Sequence, residues 1–141
     1  MAEAIFRDMT IKKRLGGKLE VDSSGALSYN AGKLPHEGAR AILDLHGISY
    51  RGIMTSKFQG RHFKEFDIIV AMDKDDLADI MKFEDKKAKA QVRLLSDFVK
   101  DDWICVPDPW YTGNFDLAYK LTTQGCEKLI EYIIGINFGQ L

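Results

Sequence analysis

Apolar residues at positions 1, 5 and 9, with Ala4 beside the same stripe, follow the i, i+4 spacing of an amphipathic helix. The pattern predicts a helix from Ala2 to about Arg14, stopped by the breaker pair Gly16-Gly17. No Ser, Thr, Asp or Asn stands ahead of it to satisfy the first amides. Lys18 to Asp22 alternates polar and apolar and reads as a short strand closing at Ser23-Ser24-Gly25. Pro35 opens a second helix, His36 to about His46, with Ala39, Ile42 and Leu43 facing inward and Gly47 as its stop. Ile48 to Lys57 carries no clear period, and Arg61 to Phe66 fits a helical turn that pins Phe63 and Phe66 to the core.

Phe66 to Met72 is a near-continuous apolar, β-branched run, the pattern of a strand buried on both faces. Asp73 can cap the following helix, with Asp75 and Asp76 favouring its positive end and Leu77, Ile80 and Met81 as its stripe. Ala90 to Leu95 predicts another strand, Ser96 to Pro107 a loop, and Asp116 to about Ile134 a long final helix. Strands alternating with helices imply crossover connections. The expected fold is α/β, a small parallel twisted sheet with helices on both faces.

Composition narrows little. A chain of 141 residues, 45% hydrophobic and 29% charged, with net charge -1, suits one soluble domain, residues 1–141. No strong basic run favours nucleic acid, and no apolar stretch is long enough for a membrane span. No n-region and h-region opens the chain, so the expected location is cytoplasmic. Two cysteines in such a chain read as free thiols. His36, His46 and His62 lack ligand spacing, so no metal is expected, and no dinucleotide or phosphate-loop fingerprint implies a cofactor. Cys126 shares the inner spacing of the last helix with Leu129 and Ile133 and reads as a small core residue, as does Cys105 beside Val106.

The residues that suggest chemistry are Asp108-Pro109-Trp110-Tyr111. A loop carboxyl at Asp108 could protonate a leaving oxygen; an Asp-Pro pair is equally a plain turn initiator. Trp110 and Tyr111 could form a wall for an aromatic substrate or simply cover loop backbone.

Taken in order, Ala2-Glu3-Ala4-Ile5-Phe6, Glu20-Val21-Asp22-Ser23-Ser24-Gly25, His46-Gly47-Ile48, Phe63 with Phe66-Asp67, Ala71-Met72-Asp73 and the Asp108-Pro109-Trp110-Tyr111 string resemble the low-molecular-weight protein-tyrosine phosphatases of bacterial type. The resemblance spans essentially the whole chain. It implies hydrolysis of phosphotyrosine monoesters through a cysteinyl-phosphate, with a phosphotyrosine protein or small aryl phosphate as substrate and no cofactor. It also implies Asp108 as general acid, Trp110 and Tyr111 as substrate-binding aromatics, and Tyr29 as the opposite wall. Ser23 resembles a serine that hydrogen-bonds the family's phosphate loop.

The family's nucleophile lies in a Cys-x5-Arg loop that ends in Ser-Pro just where Met1 stands. Here Cys105 has Tyr111 six positions on and Cys126 has Tyr132, so neither matches that loop. The resemblance therefore implies a domain that is N-terminally incomplete, lacking the first strand and the phosphate loop, and inactive unless extended upstream. A non-catalytic pseudophosphatase that binds a partner is the alternative. An arsenate-reductase-like redox enzyme is a second, disfavoured because its cysteine pair is absent.

Overall fold

Ile69 and Val70 are neighbours in one strand and belong to different cores. The computed structural model describes residues 1–25, 32–99 and 113–136. Strand β1 (Ile68–Ala71) pairs in parallel with β2 (Gln91–Leu94), with Ile69 opposite Val92 and Val70 opposite Arg93. Successive side chains alternate faces. Ile69 and Val92 therefore meet Phe63 of α3 (His62–Glu65) and Ile80 of α4 (Lys74–Met81), while Val70 packs against the larger cluster on the other side. Helices thus cover both faces of the sheet, as the alternation of elements predicts.

The larger core joins Ala4, Ile5 and Phe6 of α1 (Ala2–Lys12), Leu43 of α2 (Glu37–Leu45), and Ala118, Cys126, Leu129 and Ile130 of α5 (Phe115–Ile136). Cys126 is 2% exposed, the core position its helical spacing predicts. The second core is aromatic. Phe58 meets Phe63 edge-on at 5.9 Å between ring centroids, and burying a ring of that size contributes about 1.5–3 kcal/mol.

Asp73 caps α4 as expected, its Oδ1 accepting the Asp76 amide at 2.7 Å. Three expectations need correction. The β1 strand is fully buried at alternate positions only, Ile69 and Ala71, because it is short and Ile68 and Val70 stay half-covered. Lys18 to Asp22 forms no regular strand; among the described residues its neighbourhood holds only isolated bridges, Gly16 with Leu19 and Gly25 with Lys57. Leu19 and Val21 nevertheless pack on the larger core, which explains the alternation without a ladder. Met81, placed on the inner stripe of α4, is 37% exposed because α4 ends there. The stretch without a clear period folds irregularly, with Ile48 and Ile53 buried, each directly after a left-handed glycine, Gly47 and Gly52.

Candidate active site

The N-terminus of α1 is the focus of the site. The first helical bond of α1 runs from the Ile5 amide to the Met1 carbonyl at 3.1 Å, and no side chain caps the helix. The amides before Ile5 lie in the turn that has no intrahelical partner, and with the helix dipole they favour a negative charge. The Met1 α-amino group lies in the same place. Burial lowers its pKa, against the opposing pull of the Glu3 carboxylate.

A chain of hydrogen bonds leads away from this helix end. Ser23 Oγ donates to Glu3 Oε1 at 2.7 Å, and Ser56 Oγ donates to the Ser23 carbonyl at 3.0 Å. The Gly25 amide donates to the Ser56 carbonyl at 2.7 Å, and the Phe58 amide donates to the Gly25 carbonyl at 2.9 Å. Further along, the Thr55 amide donates to the Lys33 carbonyl at 2.7 Å, while Thr55 Oγ1 accepts the Lys33 amide at 2.9 Å. Both ends of the segment 26–31 are therefore stapled to the same extended stretch, 55–58. That fixes where the chain carrying Tyr29 leaves and returns.

The segment carrying Asp108 is anchored in a similar way. On its N-terminal side a 3-10 turn, Leu95–Phe98, follows β2 and buries Leu95. Asp97 Oδ2 accepts the Leu94 amide at 3.0 Å, and the Arg93 guanidinium lies over the rings of Phe98 and Tyr132, 4.9 and 5.7 Å from their centroids. On its C-terminal side, Asn114 Oδ1 accepts the Leu117 amide at 3.0 Å and caps α5. Phe115 stacks on His36 at 5.1 Å and fills the space a side chain would need at Gly38.

Asp108, Trp110, Tyr111 and Tyr29, the residues to which the sequence assigns acid and aromatic roles, lie outside the described residues, as does Cys105. Ser23 is described, and its partner is Glu3. Glu3 and Ser56 escaped the sequence reading because Glu3 looks like an ordinary first-turn acid and Ser56 sits where no period is legible. Cys126 is not a nucleophile. Burial pushes its thiol up to about 12, far from the thiolate that phosphoryl transfer needs. Among the described residues no group of three or more His, Cys, Asp or Glu could hold a metal ion.

Comparison with known proteins decides the family. The family model for low molecular weight phosphotyrosine protein phosphatase matches residues 1–134. This chain belongs to the low-molecular-weight protein-tyrosine phosphatase family. It is 40% identical over 134 residues to the low molecular weight protein-tyrosine-phosphatase YfkJ of Bacillus subtilis, covering 94% of this chain and 86% of that protein. It is 38% identical to PtpA of Staphylococcus aureus strain Newman, covering 95% of this chain and 84% of that one. The crystal structure of Bacillus subtilis YfkJ superposes with a TM-score of 0.89, over 94% of this chain and 84% of that one. A low molecular weight phosphotyrosine phosphatase from Vibrio cholerae superposes at 0.83 with 28% identity, over 93% and 85% of the two chains. The phosphatase fold accounts for the parallel sheet and for helices on both of its faces.

Proposed function

We propose that the chain supplies the scaffold and the general acid of a phosphotyrosine monoester hydrolase. The supporting observation is the hydrogen-bonded chain from Glu3 through Ser23 to Ser56 at the uncapped end of α1, in a protein of this family. In the proposed reaction a cysteine thiolate attacks phosphorus. The phenolate leaves with a proton from Asp108, and a cysteinyl-phosphate forms. Water then attacks that phosphorus, giving its proton to the Asp108 carboxylate, and phosphate and thiolate are released. Trp110, Tyr111 and Tyr29 flank the substrate ring. The substrates are phosphotyrosine proteins or small aryl phosphates, and the setting is the cytoplasm. Among the described residues no helix is long and apolar enough to cross a membrane.

The 141 residues contain no Cys-x5-Arg sequence, and the described cysteine is buried as a thiol. These residues alone therefore lack the nucleophile. Turnover of p-nitrophenyl phosphate and of a phosphotyrosine peptide should be measured for the 141-residue chain and for one carrying a family strand and Cys-x5-Arg-Ser-Pro loop ahead of Met1. The first should show none and the second should be active. A folded but inactive second protein would favour the non-catalytic binding module.

A further inference from the structure

Thr55 holds Lys33 by two hydrogen bonds, the Thr55 amide to the Lys33 carbonyl and the Lys33 amide to Thr55 Oγ1. Their neighbours Leu34 and Met54 are therefore brought to one place, and they are 56% and 55% exposed. Lys57 stands two residues beyond Thr55, paired through backbone with Gly25 and exposed. The result is a ledge with two aliphatic side chains and two ammonium groups, continuous with Ser56 and Ser23 and so with the end of α1.

The charge on this ledge is unbalanced. Segments 23–36 and 45–64 hold Lys33, Arg51, Lys57, Arg61 and Lys64 and no Asp or Glu, in a chain whose net charge is -1. Elsewhere Lys12, Lys82, Lys89, Arg93 and Lys128 each have a carboxylate within ion-pair distance while, among the described residues, Lys13, Arg14, Lys18 and Lys120 have none, and Arg61 is matched by Glu65 just past its segment. Among the described residues Lys33 and Lys57 form no such pair.

We infer that Lys33, Leu34, Met54 and Lys57 form a docking ledge for the peptide that flanks the phosphotyrosine, selecting an aliphatic residue between acidic ones. The inference rests on the phosphatase reading for its place in the reaction. The contact itself needs no phosphate and no nucleophile. Two aliphatic side chains offer apolar area for one substrate residue, while the ammonium groups steer carboxylates and set register. Because the charges are exposed, the attraction is salt-sensitive.

The test is a titration of the isotope-labelled 141-residue chain with an unphosphorylated Glu-Leu-Glu-containing peptide, followed by amide NMR shifts at low salt. Shifts concentrated at Lys33, Leu34, Met54, Thr55 and Lys57 are expected. Lys33→Glu with Lys57→Glu should weaken binding about tenfold, since reversal turns each exposed attraction into a repulsion. Unchanged shifts at Leu43 and Ile130 report that the variant is folded. Absence of shifts, equal shifts with a Lys-Leu-Lys peptide, or no effect of charge reversal would overturn the inference. Equal shifts with inorganic polyphosphate would also overturn it, by assigning the ledge to anions in general. None of these outcomes bears on turnover, so the failure of the ledge and the failure of the phosphatase reading are separately visible.

Discussion

Leu95 packs into the notch that Gly125 leaves in α5: a Cβ added at Gly125 would collide with Leu95 Cγ. Leu95 is 1% exposed, so the turn that starts the Asp108-bearing segment is keyed to α5 at a point with no spare room. Gly125→Ala would gain about 1 kcal/mol of helix propensity but incur an overpacking cost of about 1–3 kcal/mol. The clash is with the branch atom as well as the methyl groups, so rotation of Leu95 about χ2 alone does not relieve it. Net destabilisation of about 1 kcal/mol is expected from the denaturant midpoint. Adding Leu95→Ala should remove the clash and make the pair non-additive. A raised midpoint in the single variant would show that Leu95 can yield.

The cap on α4 gives a simpler case. Asp73→Ala removes the acceptor of the Asp76 amide and should cost about 1 kcal/mol, whereas Asp73→Asn should retain most of the cap. Chemical denaturation of the three proteins checks this. Equal losses for both substitutions would point to some other role for the carboxylate.

How much of this was legible beforehand depended on the kind of signal. The Asp73 cap, the Cys126 core position and both paired strands were readable because each rests on local spacing. Lys18 to Asp22 misled because half-burial against a helix gives the same alternation as a ladder; Leu19 and Val21 pack on the core without strand partners. The Glu3 to Ser23 contact joins residues 20 apart, and the Gly125 notch depends on Leu95, 30 positions earlier. Such long-range pairings leave no period in the chain. The acid and aromatic roles of residues 29, 108, 110 and 111 rest on motif alone.

Cys126 should behave as a reporter of unfolding. Its folded pKa, near 12, lies above the unfolded value of 9.0 because burial disfavours the thiolate. The raised value means the folded chain holds its proton longer. The resulting stability is fully present below pH 9 and is lost as pH rises from 9 toward 12. In a Cys105→Ser background, alkylation by iodoacetamide at pH 8 should be negligible in the folded protein and rapid in denaturant. Rapid labelling under native conditions would mean that the α1–α5 contact opens readily.

The sharpest test of the assigned chemistry is the leaving-group dependence of Asp108, read in the chain extended with the Cys-x5-Arg-Ser-Pro loop. A general acid matters in proportion to the basicity of the group expelled. Asp108→Asn keeps the size of the side chain and removes the proton. Hydrolysis of phenyl phosphate and of phosphotyrosine should fall by about 10²–10⁴. Hydrolysis of p-nitrophenyl phosphate, whose phenolate leaves without help, should fall far less. Equal slowing of all three substrates would remove Asp108 from the proton-transfer step and leave it as the first residue of an Asp-Pro turn.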